Sequence, residues 1–274
     1  MTTRARGRSL LIGLLLLLAA VLVGAGCGGD NNDNKTSTSK LDTITAGKLK
    51  VGSDIPYKPF EFGRSPNYQG FDVDVVTQVA NKLGLEAQFV KTPFDTVFRN
   101  LAQGKFDMVA SAATITPERE KEVDFSDPYF PADQSLMVKK GSDIKTVDDL
   151  KGQVIGAQLG TTGADYAKKS TDASTVRTYD LIDDAFNALE AGQVKAVIND
   201  CPVSKYAEKA HKDLVVVRAI PTHELYGFAF ANGSDSLRTA FNGALAEIKK
   251  DGALASTQKK WLGTDPCKGL PGAS

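Results

Sequence analysis

GFDVDVVTQVANKLGLEAQFVK, residues 70–91, holds two periodicities side by side. Val75, Val76, Val79, Ala80 and Leu83 return at helical spacing, and Gly84 stops the pattern. EAQFVK at 86–91 then reads as a short strand. The same unit recurs in both directions. Upstream, LKVGSD at 49–54 is strand-like; downstream, FDMVASA at 106–112, QVIGAQ at 153–158 and VKAVIND at 194–200 alternate with helical segments. One of these, 181–191, sets Leu181, Ala185, Phe186 and Leu189 on one face. Alternation of this kind predicts an α/β fold with a largely parallel sheet. The polar, turn-rich VKKGSDIKTVDDLKG at 138–152 divides the pattern, and the apolar YGFAF at 226–230 is followed by two helical stretches running to Leu262. Both features favour two lobes over one large domain.

The chain opens differently. Arg4, Arg6 and Arg8 precede an apolar stretch from Leu10 to Val23, and Gly24, Ala25 and Gly26 precede Cys27. This is the pattern of a secretory leader over residues 1–26. At a rise of roughly 1.5 Å per residue it is too short for a bilayer core of roughly 30 Å. A cysteine placed there resembles the lipobox of bacterial lipoproteins, although Gly24 stands where that motif carries a larger apolar residue. Residues 27–45 then read as a lipid anchor at Cys27 and a polar tether. Removal of the leader leaves 30 basic against 33 acidic side chains, a balance of −3, which gives no footprint for nucleic acid. Cys201 and Cys267 remain as an even pair in a compartment where disulfides persist; they read either as a bridge or as two separate thiols.

Three stretches have the chemistry to hold a small ion. In SAATITPER, 111–119, Thr116 is placed as an N-cap, Pro117 as the first helical residue and Arg119 one turn in, which offers N–H groups, hydroxyls and a guanidinium to a carboxylate. QLGTTGADY, 158–166, sets a threonine pair between a strand and a helix, without the lysine of a phosphate loop. Asp200 ends an apolar strand, where a carboxylate can receive an ammonium group. Locally these also read as a capped helix, an N-cap and a turn-forming aspartate. Arg119 and Asp200 together would match both charges of a zwitterion. His211 and His223 lack metal-ligand spacing, and no nucleophile elbow occurs, so neither a metal, a cofactor nor a catalytic residue is expected.

SDIPYKPFEF at 53–62, GFDVDVV at 70–76, GKFDMVASAATITPEREKEVDFSDPYF at 104–130, VIGAQLGTTG at 154–163 and AVIND at 196–200 resemble, in order and spacing, the polar amino-acid branch of the bacterial solute-binding proteins. The resemblance spans roughly residues 46–263. It implies a two-lobe type II periplasmic-binding-protein fold: residues 46–138 plus 228–263 in lobe 1, 139–227 in lobe 2, hinge strands near 138–140 and 226–229, and a C-terminal tail at 264–274. By the same resemblance, Arg119 would clamp a ligand carboxylate, with donors from Thr114 and Thr162. Asp200, the Thr114 hydroxyl and the Ala112 carbonyl would meet the α-ammonium, while Tyr57 and Phe94 would wall the side chain. Asp54, Ser111, Gln158 and Asn199 would select the ligand.

A carboxylate at Asp54 points to a basic or amide amino acid, with arginine, lysine or glutamine favoured, and disfavours acidic ligands. The implied function is that of a monomeric, membrane-anchored binding lipoprotein that hands a free amino acid to an ABC permease. A dehydratase-like enzyme on the same fold and a ligand sensor are the alternatives. Ala112, which replaces a hydroxyl residue found in some members, and the pair Cys201 and Cys267 depart from the family's pattern; a bridge between them would pin the tail near lobe 2.

Overall fold

The structure, a computed structural model, describes residues 41–273. The leader, Cys27 and the tether up to residue 40 lie outside the described residues. Strand β1 (Lys48–Ser53) is followed by a small hairpin, β2 (Phe62–Arg64) and β3 (Asn67–Gln69), then by α1 (Phe71–Lys82), β4 (Glu86–Lys91), α2 (Phe94–Ala102), β5 (Met108–Val109) and β6 (Val123–Phe125). A long strand, β7 (Phe130–Lys139), leads to β8 (Val154–Gln158), α3 (Thr162–Ser170), β9 (Thr175–Tyr179), α4 (Ile182–Glu190), β10 (Ala196–Asp200), α5 (Cys201–Ala207) and β11 (Leu214–Tyr226). The chain then runs through β12 (Ala229–Ala231), α6 (Asp235–Lys250) and α7 (Ala253–Leu262).

Two five-stranded sheets result. The first has the order β4-β1-β5-β12-β6, with β1 parallel to both neighbours and β12 antiparallel to β5 and β6. The second has the order β11-β7-β10-β8-β9, with β8 parallel to β9 and β10 and β7 antiparallel to β10 and β11. Helix α1 buries Val75, Val76, Val79 and Ala80 at the spacing read from sequence, and Asp72 and Asp74 in its first turn suit the positive end of the helix dipole. Its other neighbours are α6 and α7; Gln78 Nε2 donates to Thr257 Oγ1 at 2.9 Å and Trp261 Nε1 to Asp74 Oδ2 at 2.7 Å.

The structure corrects four boundaries. Residues 130–138 pair along β10 and β11, so β7 belongs to the second sheet and the chain leaves the first sheet after β6, not at residue 138. Leu136 and Val138 are buried there against Ile155 and Ile198. The crossing segments therefore lie at 126–130 and 226–229. Ser126 N–H donates to Phe228 O at 2.8 Å, Tyr129 N–H donates to Tyr226 O at 2.9 Å, and the Tyr129 and Phe228 rings stack at 4.1 Å. Next, the stretch 226–230 is not one strand, since β11 ends at Tyr226 and β12 begins at Ala229. The strand expected over 106–112 is reduced to Met108–Val109, because Ala112 turns the chain with φ at 43°. Finally, residues 41–45 are not free tether: Ile44 N–H donates to Asp107 Oδ1 at 2.7 Å, and Leu41 packs on the core.

Gly70 fixes how α1 begins. Its φ is 138°, and a Cβ there would lie 2.1 Å from the Phe60 carbonyl oxygen, in the loop that also carries Tyr57. Gly70→Ala is expected to cost about 3 kcal/mol, from backbone strain and the clash together. Denaturant unfolding measures this, and a loss below about 0.5 kcal/mol would mean that the loop shifts freely.

Candidate functional site

The parallel strands of both sheets end at the same gap. From the first sheet come Asp54 and Tyr57 after β1, Phe94 at the start of α2, and Ser111, Ala112 and Thr114 after β5. In place of the expected helix with Pro117 first and Arg119 one turn in, a three-residue 3-10 turn, Arg119–Lys121, begins at Arg119 itself, whose N–H donates to Thr116 Oγ1 at 3.2 Å. The second sheet contributes Gln158 at the end of β8, Thr162 at the start of α3, and Asn199 and Asp200 at the end of β10. Ligands of open α/β sheets lie at such carboxyl ends. Nine of these eleven residues line one small, nearly closed cavity, together with Thr161. Asp54 and Asn199 stand behind its wall: Gln158 Nε2 donates to Asp54 Oδ2 at 2.6 Å, and the Tyr57 hydroxyl lies 3.1 Å from Asn199 Oδ1. A larger cavity, about 460 Å³, lies between β7, β11 and the C-terminal segment and holds none of the eleven.

The helix end on the second-sheet side is preorganised. Thr161 caps α3, its Oγ1 accepting from Ala164 N–H at 3.1 Å, so Thr162 is held at the first helical position. Arg119 is positioned by contacts on several sides. Nη1 donates to Thr114 O at 2.6 Å, Nη2 donates to Gly160 O at 3.3 Å, and the guanidinium carbon sits 5.1 and 5.0 Å from the ring centroids of Phe94 and Phe98. Burial draws its pKa down, and the nearby charges of Glu224 and Asp200 oppose that shift.

At the other side, Asp200 accepts from the Tyr57 hydroxyl at 2.6 Å and from Gln134 Nε2 at 2.5 Å. Burial, followed by the charge of Glu224, pushes its carboxyl up to about 6. Asp54 is pushed to about 7, chiefly by burial and against the hydrogen bond from Gln158. Beneath the cavity, Asp72 accepts from Ala112 N–H at 2.9 Å and from the Tyr129 hydroxyl at 2.7 Å, and burial raises it to about 7. Glu61, which accepts from Ser111 Oγ at 3.3 Å, is raised well above the usual carboxylate range by burial and by Asp72.

All four carboxyls hold their protons more tightly folded than unfolded. For Asp54, Asp72 and Asp200 the contribution to stability is therefore complete below the unfolded pKa near 4 and is lost as pH rises through about 6 to 7. The ligand-free protein is expected to melt roughly 5 °C lower at pH 8 than at pH 5.5. A melting temperature that rises over that interval would show that these groups are already ionised.

Sequence reasoning missed several residues at the gap. Phe98 follows Phe94 by one helical turn, a spacing that could have flagged it. Gln134 on β7 and Glu224 on β11 carried no local signal. Lys58 and Asp183 form an ion pair at 3.2 Å between the loop after β1 and the start of α4. Cys201 and Cys267 are bonded, with Cα atoms 6.2 Å apart, and Pro271 O accepts from Ala219 N–H at 2.9 Å, so the C-terminal segment is tied to the second sheet. His211 pairs with Glu190 at 3.1 Å, away from the cavity.

Comparison with known proteins adds an independent line. The family model for bacterial extracellular solute-binding proteins, family 3, matches residues 49–264. The L-cystine-binding protein TcyJ of Escherichia coli (strain K12) is 33% identical over 266 residues, covering 96% of this chain and 98% of that protein. The ABC transporter glutamine-binding protein GlnH of Bacillus subtilis (strain 168) is 35% identical over 265 residues, covering 93% and 97%. Among solved structures, an ancestral arginine-binding protein bound to arginine superposes with a TM-score of 0.75 at 39% identity, over 79% of this chain and 99% of that one.

Proposed function

Because the chain belongs to the bacterial extracellular solute-binding proteins, family 3, with their type II periplasmic-binding fold, we propose that it binds a free polar amino acid between its two sheets and delivers it to an ABC permease. One observation carries the reading: Arg119 and Asp200, from different sheets, line a single cavity and are complementary to the two charges of a zwitterion. Arg119 would take the carboxylate with the Thr162 and Thr114 donors, and Asp200 the α-ammonium, with the Thr114 hydroxyl and the Ala112 carbonyl beside it. Tyr57 and Phe94 would wall the side chain, beside Ser111 and Gln158, with Asn199 and Asp54 acting from behind Tyr57 and Gln158. A buried carboxylate at Asp54 favours a basic or amide side chain, and the relatives named for cystine, glutamine and arginine give the range to be tested.

Binding involves no chemistry on this reading. The sheets are the cores of two lobes that close over the ligand about the crossings at 126–130 and 226–229, and closure is favoured only by interactions that the ligand makes in the closed form and not in the open one. A single chain supplies both halves of the cleft, so the protein acts as a monomer. Cys27 anchors it to the membrane once the leader is removed; Cys27→Ala is then expected to move the mature chain from the membrane fraction to the medium, and retention in the membrane would discard the lipid anchor.

The test of the ligand reading is a thermal-shift screen of the mature protein against the twenty amino acids, since a ligand that binds only the folded state raises its midpoint. A shift confined to arginine, lysine, glutamine or a close analogue is the expected result. A flat response across the panel would reject amino acids as the ligand class.

A further inference from the structure

Glu224 sits where the pairing of β11 with β7 slips: the register shifts between Ile220 and Glu224, and His223 takes the left-handed backbone at φ 52°. That irregularity is held by the His223 N–H donating to Asp133 Oδ1 at 2.9 Å and the Gln134 N–H donating to Thr222 Oγ1 at 3.1 Å. Bulges of this kind re-aim a side chain. Here the carboxylate is aimed between the two lobes. Thr114 Oγ1 donates to Glu224 Oε2 at 2.6 Å, Thr162 Oγ1 donates to the same oxygen at 2.7 Å, and Gln134 Nε2 donates to Oε1 at 3.0 Å. Gln134 Nε2 also lies 3.3 Å from Thr162 Oγ1 and donates to Asp200.

A threonine hydroxyl has one proton, and a carboxylate only accepts. With both protons committed to Glu224, Thr114 and Thr162 can offer only oxygen lone pairs to the cavity they line. We propose that Glu224 is a positioning residue that sets the polarity of these two hydroxyls, making them, with Asp200, an acceptor site for an α-ammonium group. The carboxylate of the ligand is then left to Arg119 and to backbone N–H groups. The inference rests on the amino-acid reading above, narrows the donor role given there to Thr114 and Thr162, and assigns discrimination between an amino acid and the corresponding deaminated acid to a residue outside the cavity wall.

The test compares, by titration calorimetry, the amino acid found in the screen with its des-amino analogue, which keeps the carboxylate and side chain. In Glu224→Gln the amide NH₂ can face the two hydroxyls and turn their protons toward the ligand. The preference for the amino acid is expected to fall by at least about tenfold, with the affinity of the analogue changed by less than about threefold. Because the readout is a ratio, partial loss of folded protein does not mask it. Thr114→Val combined with Glu224→Gln is expected to lower the preference no further than the stronger single change, as for residues acting through one another. An unchanged ratio in Glu224→Gln, equal losses for both ligands, or fully additive effects would overturn the inference while leaving the amino-acid site intact. A wild-type protein that binds no amino acid would overturn the underlying reading, and this inference with it, before any variant is made.

Discussion

Arg119→Ala is expected to abolish measurable amino-acid binding, with a loss of at least about 3 kcal/mol, more than a hundredfold in Kd. The size follows from what the closed cleft leaves behind. A carboxylate drawn into a cavity walled by Phe94 and Tyr57 loses its water, and without the guanidinium only neutral donors remain to replace it. Stability should respond far less. Arg119 has no ion-pair partner within 4 Å among the described residues, and its side chain is bonded to two carbonyls, Thr114 O and Gly160 O. Burial already disfavours its charge. Removing it deletes two hydrogen bonds and the contacts over Phe94 and Phe98, but also a desolvated cation. Arg119→Lys keeps the charge and loses the planar fork, and about a tenfold loss in affinity is expected. Calorimetric titration of both variants separates the terms; an alanine variant with wild-type affinity would remove Arg119 from the site.

Arg119 is legible in the sequence because its signals are local. Thr116, Pro117 and Arg119 form a compact turn whose capping hydrogen bond depends on neighbours a few residues away. The same holds for α1, whose apolar face and Gly84 stop lie within one stretch, and for β4, whose observed bounds are those of EAQFVK. What stayed hidden depends on partners far along the chain. Phe130–Lys139 contains an apolar run that would suit either sheet; only its pairing with residues 196–200 and 214–226 decides which. Ala112 gives no warning of its left-handed backbone, which the hydrogen bond to the buried Asp72 carboxylate supports from 40 positions away. Glu224 is the clearest case. An acidic residue among exposed neighbours reads as solvated surface, and its proximity to Thr114 and Thr162 exists only because the strand irregularity turns it inward.

Asp200→Asn should separate binding from stability and move them in opposite directions. On the proposed reading the substitution removes the charge that would face the α-ammonium, and affinity is expected to fall by about a hundredfold or more. The fold, however, gains. The wild-type carboxyl is buried, lies near the charge of Glu224, and has its pKa raised to about 6. A raised folded pKa means that its stabilising contribution is intact at low pH and is lost as pH rises through about 6. Asparagine has no such loss. Its oxygen can accept from Gln134 Nε2, and its NH₂ can donate to the Tyr57 oxygen once that hydroxyl turns its proton to Asn199 Oδ1, 3.1 Å away. The ligand-free variant is therefore expected to be more stable than wild type by on the order of 2 kcal/mol at pH 8, with the difference closing toward pH 5. Residues kept for binding at the expense of stability behave in this way. Denaturant melts of both proteins at the two pH values check it: a variant less stable at pH 8, or a difference that does not depend on pH, would mean that Asp200 holds the fold together rather than waiting for a cation.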